Sequence, residues 1–302
     1  MDNGIGNFIR FINKEDPTLL NGQLSHWPVN VQAAFENPGP RINCLLPGMI
    51  RGSVGALVAP GGAGKSIFAL QLAVWIVSGS DLLGLGEAPK NQAVAYLSAE
   101  DPQPVLAERL YAMSELLTDR QKRVVEDNFL IMPLDGIRPN LVSPTWITAL
   151  QGLAEEHDLL ILDTLRRFHG CDENDGAAMA RLLGHLELIA SRTGCSILFL
   201  HHTNKAALWN DAGDQQQASR GSSVLTDNIR WQSYLSTMTP GEAKKYGITT
   251  EPISRYVRFG VSKANYHAGI HPQWYLRGTA GVLHPVNLAA QASGRVQRRA
   301  AV

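Results

Sequence analysis

Short apolar runs alternate with helix-length segments through the middle of the chain. The apolar runs cover residues 53–59, 93–99, 128–134, 159–163 and 195–202. Helices are predicted after the first four runs, beginning at Lys65, at Pro102 and at Ser143-Pro144, and running through residues 176–192. Near-continuous apolar strands separated by helices are typical of a parallel sheet covered on both faces. The pattern therefore predicts an α/β fold with a mostly parallel central sheet.

The pattern changes after residue 202. A long polar stretch comes first, and three further apolar segments then follow without long helices, at residues 231–238, 255–264 and 273–278. We interpret these segments as antiparallel strands that extend the same sheet. The expected fold is thus a parallel core with an antiparallel carboxyl-terminal extension.

The two ends of the chain differ from this middle part. Residues 1–40 mix short polar and apolar pieces and contain "ENPGP" near the end, which indicates an arm with little structure of its own. Residues 286–302 are polar and rich in Ala and Arg, and we expect a flexible tail there, either simply solvated or a weak nucleic-acid tether. One main domain is predicted between them, over residues 41–285.

Composition predicts a soluble, cytoplasmic protein without a membrane partner. Of the 302 residues 44% are hydrophobic, which is ample for a buried core. The longest apolar run, Ile67–Val77, has eleven residues, too few to span a bilayer. The first sixteen residues lack the ordered charged, apolar and cleavage regions of a signal peptide.

Charge and cysteine content exclude some classes of site. Lys plus Arg equals Asp plus Glu at 27 each, so any nucleic-acid contact must be local, in loops or in a channel built by assembly. Cys44, Cys171 and Cys195 form no CxxC pair. They indicate ordinary reduced thiols rather than a disulfide framework or a zinc site.

The stretch "APGGAGKS", Ala59–Ser66, lies between a predicted strand and a predicted helix, the context of a phosphate-binding loop. There, backbone N–H groups and the helix amino terminus face the phosphates, Lys65 reaches the β and γ phosphates, and Ser66 ligates Mg²⁺. Ala59 replaces the first glycine of the pattern, but it ends the strand, where a small residue suffices. The predicted nucleotide-binding set is Gly61, Gly62, Ala63, Gly64, Lys65 and Ser66, and the three glycines are expected where positive φ or close approach is needed. The alternative is a glycine-rich turn with a chance lysine.

Two carboxylates at strand ends suit a P-loop ATPase. Asp163 ends the apolar run "LLILD", where burial is costly unless the carboxylate faces a cation, so we predict that it helps to hold Mg²⁺ as the Walker B acid. Glu100 ends the strand that follows the P-loop helix, at the edge that lines the ligand crevice, and we predict a general base. Asp101 is the competitor, but it directly precedes Pro102 and is more simply a helix N-cap.

Two histidines end the run "CSILFLHH". Side chains alternate along a strand, so only one of His201 and His202 can face the crevice. We predict that His202, nearest the mouth, contacts the γ phosphate and reports its loss. The alternative is a pair of satisfied strand-end histidines, and no further ligands with metal-site spacing accompany them.

The order of these motifs resembles the RepA-type replicative helicases of IncQ-like broad-host-range plasmids, members of the RecA/DnaB-like ring ATPases. The motifs are "APGGAGKS", "YLSAED", "ILDTLRRFH", "CSILFLHH", "AGDQQQASRGSSVLTDNIRWQ" and "RFGVSKANY", within residues 42–285. The resemblance implies a RecA-like core, a homohexameric ring, ATP between neighbouring subunits and single-stranded DNA through the centre.

The resemblance also implies residue roles. It assigns phosphate and Mg²⁺ binding to Lys65 and Ser66, and it assigns the base, Walker B and sensor roles to Glu100, Asp163 and His202. Arg230 in "DNIRWQ" becomes an arginine finger that reaches the neighbour's γ phosphate, whereas by itself it could be any strand arginine. Lys263 in "VSKAN" becomes a possible second cation.

The polar stretch 203–223 joins the sensor strand to the strand after Arg230. Lys205 and Arg220 within it suit sequence-neutral contact with a phosphate backbone. A flexible surface loop is the simpler interpretation of this stretch, and only the resemblance favours DNA contact.

The function expected from the sequence is an ATP-driven, Mg²⁺-dependent, hexameric DNA helicase in plasmid replication. The resemblance implies movement in the 5′ to 3′ direction, and the chain would need initiator and primase proteins as partners. The alternatives are a recombinase-type DNA-dependent ATPase and a nucleotide-gated regulatory protein without strand separation.

Overall fold

The computed structural model describes residues 29–39, 42–203, 225, 228–266 and 271–290. The chain divides into two compact units, residues 1–43 and 44–302. In the first unit, helix α1 (Val31–Glu36) begins after Asn30, whose side chain accepts a hydrogen bond of 3.0 Å from the N–H of Ala33. No residue of α1 is buried. The arm, main-domain and tail boundaries predicted above remain predictions.

The second unit is built on a nine-stranded sheet. A short antiparallel pair, β1 (Cys44–Leu46) and β2 (Met49–Ile50), precedes it. The strands of the large sheet are β3 (Val54–Ala59), β4 (Val94–Ser98), β5 (Phe129–Pro133), β6 (Leu159–Asp163), β7 (Ser196–His202), β8 (Trp231–Thr237), β9 (Tyr256–Ala264), β10 (Gln273–Arg277) and β11 (Leu283–Val286). Their order is β11-β10-β9-β8-β3-β7-β6-β4-β5. The six strands from β8 to β5 are mutually parallel, and β9, β10 and β11 add antiparallel.

Helices cover both faces of the parallel part. They are α2 (Lys65–Ser78), α3 (Gln103–Ser114), α4 (Asp119–Asn128), α5 (Pro144–Glu156) and α6 (Gly176–Thr193), with the short α7 (Pro240–Tyr246) near the antiparallel strands. Strand β6 shows how the layers form: Leu159 and Ile161 pack with α2 and α3, while Leu160 and Leu162 pack with α5 and α6. This alternation makes every central strand apolar on both faces, as the sequence pattern predicted.

Helix α2 explains the longest apolar run of the sequence. Every residue from Ile67 to Val77 is buried, so the helix is apolar on all sides because it lies inside the core. It ends at Gly79, which has a left-handed φ of 71° and donates its N–H to the carbonyl of Trp75. In the described part of the chain, no helix has the length and apolar content that crossing a bilayer requires.

The structure confirms the predicted α/β sheet with an antiparallel extension and corrects three details. Strand β8 is parallel to β3, with Gly55 opposite Trp231. A parallel strand needs a long connection from the carboxyl end of one strand to the amino end of the next, and the chain between β7 and β8 is long enough for this. The helix expected from Pro102 is two helices, because Thr118 starts a second one with a capping box. Strand β11 was not predicted; it is a short edge strand that contains Pro285, a residue that sheets tolerate at their edges.

Candidate nucleotide-binding site

The phosphate-binding loop connects the buried end of β3 to the start of α2. Gly62 and Gly64 have φ of 76° and 96°, a region that other residues adopt only with strain, so both glycines are required by the backbone. Gly61 has no positive φ, and a side chain there would contact no described protein atom. Of the two reasons predicted for Gly61, positive φ does not apply, and close approach of a phosphate remains a prediction; Ala59 ends β3 in a buried, regular position as predicted.

Lys65 is the first residue of α2, and its ammonium group is buried beneath the loop. Nζ lies 3.0 Å from the carbonyl oxygen of Ala59, 3.3 Å from that of Pro60 and 3.0 Å from Nδ1 of His202. Burial lowers the pKa of Lys65 from 10.5 to about 8, and the charges of Asp163 and Glu100 oppose this shift. The group remains a cation at neutral pH, as phosphate binding requires.

Asp163 lies at the end of β6 and is fully buried. Its Oδ2 accepts a hydrogen bond from the hydroxyl of Tyr96, but no described residue donates to Oδ1. Burial raises the pKa of Asp163 from 3.8 to about 6, and hydrogen bonds from Tyr96 and Ser66 oppose the rise. A buried carboxylate oxygen without a donor, next to the Ser66 hydroxyl, is the hard-oxygen donor set that Mg²⁺ prefers, so Asp163 and Ser66 fit this ion.

Glu100 follows β4 at the same edge of the sheet. Its Oε1 accepts a hydrogen bond of 2.9 Å from Oγ1 of Thr164 and lies 3.5 Å from Nε2 of His202. The neighbouring Asp101 does not cap α3, contrary to the sequence interpretation: Pro102 occupies the N-cap position, and the Asp101 carboxylate pairs with Arg109. Glu100 is therefore held towards the loop, whereas Asp101 is engaged elsewhere.

The two histidines at the end of β7 point to opposite faces of the sheet. His202 faces Lys65 and Glu100, whereas the His201 ring is buried on the other face, with Nδ1 4.0 Å from Oε1 of Glu173. Lys65 can only donate, so Nδ1 of His202 accepts and the ring proton lies on Nε2, facing Glu100. The structure thus brings His202, Lys65 and Glu100 together.

An open cavity of about 280 Å³ lies over these groups. It is lined by Gly62, Gly64, Lys65, Ser66, Ile67, Glu100, Arg109, His202, Arg277, Ala280 and Gly281. Cavities of this volume bind small ligands, and this one combines cations, a carboxylate and a helix amino terminus, the groups that recognise a nucleotide phosphate chain.

Arg277, at the end of β10, is a site residue that sequence reasoning missed. Its Nη2 donates a hydrogen bond of 2.9 Å to the carbonyl of Gly62, and its guanidinium group lies beside Gly64. Burial lowers the pKa of Arg277. The only sequence signal was an arginine before glycine in "QWYLRG", far from the loop in the chain.

The hairpin that carries Arg277 is fixed to α2 by a buried side chain. Gln71 is fully buried, and its amide both accepts from the N–H of Leu283 at 2.7 Å and donates to its carbonyl at 2.9 Å. The hydroxyl of Tyr275 also donates to the carbonyl of Leu83 at 2.7 Å. These contacts hold the turn between β10 and β11 at the cavity.

A family model described as an AAA domain (AAA_25) matches residues 22–207 of the chain. The chain belongs to this AAA domain family. Among solved structures, it is similar to the "ATPase Domain of G40P", with 12% identity and a TM-score of 0.58 over 88% of this chain and 99% of that one. Another similar structure is titled "Crystal structure of the RadB recombinase", with 14% identity and a TM-score of 0.48 over 78% of this chain and 92% of that one. The chain is thus a member of the AAA domain family, and its fold matches that of the G40P ATPase domain.

Beyond the matched AAA domain, the two basic residues that the resemblance implied lie away from the loop. Arg230 directly precedes β8, and Lys263 is near the end of antiparallel β9, opposite Gln232. Because β8 and β3 are parallel, both residues lie at the amino-terminal edge of the sheet, whereas Lys65 follows the carboxyl-terminal edge. The structure does not bring Arg230 or Lys263 to the cavity of their own subunit.

Two further residues, predicted to contact the DNA backbone, belong to the polar stretch after β7. Lys205 and Arg220 lie outside the described residues. The described ranges also contain no group of three or more His, Cys, Asp or Glu side chains arranged to hold a metal ion.

Proposed function

We propose that this protein is an ATP-driven replicative DNA helicase of the RepA type, a hexameric ring that moves along single-stranded DNA in plasmid replication. The observation that carries the proposal is the placement of Arg230 and Lys65 at opposite edges of one sheet. Parallel strands rise about 3.3 Å per residue, so the level of Trp231 and Gly55 lies roughly 13 Å below that of Ala59.

This separation supports a site shared between subunits. Arg230 is exposed at the amino-terminal edge, where it is too far from its own Lys65 to act on the same phosphate. In a head-to-tail ring, two different surfaces meet at each interface, so the carboxyl-terminal edge of one subunit contacts another surface of its neighbour. The ring closes when the rotations between successive subunits add up to a full turn. Arg230 would then serve as an arginine finger on the neighbouring nucleotide, with Lys263 beside it.

The chemistry follows from the residues at the cavity. Lys65 and the backbone N–H groups of the loop bind the phosphates, while Ser66 and Asp163 would hold Mg²⁺. Bound Mg²⁺ supplies charge neutralisation at the β and γ phosphates. Glu100 orients the attacking water and accepts its proton, since Thr164 and His202 hold its carboxylate at the cavity.

The link to DNA runs through the end of β7. His202 contacts Lys65, and in the sequence the stretch 203–223 connects His202 to the segment that contains Arg230. In the proposed motor, Lys205 and Arg220 in this stretch contact the DNA backbone. We expect initiator and primase proteins as partners in the cytoplasm.

The first experiment measures ATP hydrolysis by a size-resolved hexamer with and without single-stranded DNA. Lys65→Ala and Arg230→Ala are compared with wild type, and Arg120→Ala, an exposed arginine of α4, serves as the matched control. We expect DNA to stimulate the wild type and the control. Both site variants should be inactive, and a minority of Arg230→Ala subunits should inhibit mixed rings.

Unwinding of a forked duplex then tests the motor itself. Open-ended filaments without unwinding would favour a recombinase-type ATPase. A monomer that hydrolyses ATP equally with and without DNA, and that is indifferent to Arg230→Ala, would contradict the ring and favour a nucleotide-gated regulator.

A further inference from the structure

A group of buried polar side chains lies on the face of β7 opposite Lys65. We call it the histidine cluster; it consists of His169, Glu173, His201 and Thr203. His169 and His201 are only 6% and 7% exposed. No described residue bonds to Nδ1 of His201, to Oε1 of Glu173 or to Oγ1 of Thr203.

Such a concentration of unpaired groups is unusual, because most buried polar atoms in proteins have a hydrogen-bond partner. Nδ1 of His201 and Oε1 of Glu173 face each other at 4.0 Å, which is longer than a hydrogen bond of about 2.7–3.2 Å. Burial lowers the pKa of His201 to about 4, and the nearby His202 and Lys65 add to this effect. The imidazole is therefore neutral at pH 7, and its Nδ1 can carry the proton that a carboxylate accepts.

Glu173 lies on a segment that starts at the nucleotide site. This segment, residues 164–175, begins with Thr164, which bonds to Glu100, and ends at Asp175, which caps α6 through the N–H groups of Ala177 and Ala178. Leu165 and Phe168 anchor its first turn in the core. The residues between these two fixed ends include Glu173, which faces His201 of β7.

The other face of β7 contains the contact that phosphate binding must change. A lysine ammonium has three N–H donors, and those of Lys65 meet three acceptors: two carbonyls and Nδ1 of His202. A phosphate oxygen that binds Lys65 has to displace one of them. Movement of His202 also moves His201, because consecutive residues of a strand share one backbone and point to opposite faces.

We infer that Glu173 and His201 form a positioning contact that passes a change at Lys65 and His202 to segment 164–175. The inference rests on the proposed function, since it describes how the nucleotide state of the ATPase site reaches a segment on the other face of β7. Closing the gap between Nδ1 and Oε1 by about 1 Å would complete a hydrogen bond.

The first test is hydrogen exchange of the full chain with and without the Mg²⁺ complex of the non-hydrolysable analogue AMP-PNP. In the wild type, we expect the analogue to change exchange of the amides in segment 164–175. Glu173→Ala should lose this response while its affinity for the analogue stays within about twofold of wild type. Glu156→Ala, which removes an exposed carboxylate of α5 outside the segment, is the matched control and should respond like wild type.

A second readout uses function. We expect Glu173→Ala to lower DNA stimulation of ATP hydrolysis by about fivefold or more, with the rate in the absence of DNA unchanged. Glu173→Gln, which keeps an acceptor oxygen, should retain most of the stimulation. His201→Leu, of similar bulk, should resemble Glu173→Ala, and the double variant should be no worse than either single one.

The outcomes separate this inference from the helicase proposal. If wild type shows no DNA stimulation, the proposed function fails, and the exchange experiment still decides whether the contact exists. An unchanged segment 164–175 in wild type, a wild-type response in Glu173→Ala, or additive effects in the double variant would each overturn the inference.

Discussion

Nδ1 of His202 lies 3.0 Å from Nζ of Lys65, although Lys65 begins α2, His202 ends β7 and the two residues are 137 positions apart in the chain. The contact occupies one of the three donors of the ammonium group, and two backbone carbonyls occupy the others. The ammonium group of Lys65 is therefore fully hydrogen-bonded within the protein itself. Binding a phosphate must displace one of these three acceptors, and His202 is the one that belongs to a side chain and can rotate away.

Removing the His202 ring should separate nucleotide binding from hydrolysis. In His202→Leu, Lys65 loses one internal acceptor and one donor becomes available, so we expect ATP affinity to be unchanged or up to about fivefold tighter. Hydrolysis should fall about tenfold or more, because Glu100 loses its neighbour. Fluorescent-nucleotide binding and single-turnover hydrolysis measure the two effects. His157→Leu, at the other edge of the sheet, is the control, and weaker binding by His202→Leu would contradict the competition for Lys65.

Nucleotide affinity should fall at alkaline pH. Burial lowers the pKa of Lys65 to about 8, so the cation that binds phosphate is present below this pH and is lost as pH rises through it. Between pH 7 and pH 9, the dissociation constant for ATP should increase about tenfold. Lys65→Arg keeps its charge over this range and should show no such increase, whatever its affinity at pH 7. Equal pH profiles for wild type and Lys65→Arg would assign the effect to another group.

Arg277 should act on the nucleotide of its own subunit. Its guanidinium group lies against Gly62 and Gly64 at the cavity, so Arg277→Ala should weaken ATP binding by about tenfold, as expected for loss of a charge-assisted contact. Diluted, unassembled subunits should show the same loss. Arg230→Ala should leave binding by such subunits unchanged, which provides the matched comparison. If both variants weakened ATP binding by unassembled subunits equally, Arg277 and Arg230 would belong to the same site of one subunit, contrary to the prediction.

The buried amide of Gln71 should contribute strongly to stability. Gln71→Leu preserves the bulk of the side chain but leaves the N–H and the carbonyl of Leu283 without partners, at a cost of about 2–4 kcal/mol in the free energy of unfolding. Urea denaturation measures this difference. Gln151→Leu, whose amide meets only the surface residue Glu155, should change stability by less than about 0.5 kcal/mol. A small effect of Gln71→Leu would mean that the hairpin rearranges to satisfy its backbone.

By itself, the sequence determined the parallel core and the phosphate-binding loop. Central strands covered on both faces must be apolar at nearly every position, and this requirement is visible in runs such as residues 159–163. The phosphate-binding loop could also be predicted from the sequence, because residues 59–66 are consecutive and their expected roles depend on local backbone geometry. Glu100 and Asp163 could be located in advance because the ends of parallel strands meet at one edge.

Only the tertiary structure decided which distant residues complete the site. Arg277 reaches Gly62 because β10 adds to the sheet beyond β8 and β9, and Gln71 fixes the following turn to α2. The direction of β8 also depended on its pairing with β3, and this direction puts Arg230 at the opposite edge from Lys65. The physical reason is the same in each case: strand pairing joins residues that are far apart in the chain. An apolar run indicates that its residues are buried, but it does not indicate which strand they pair with.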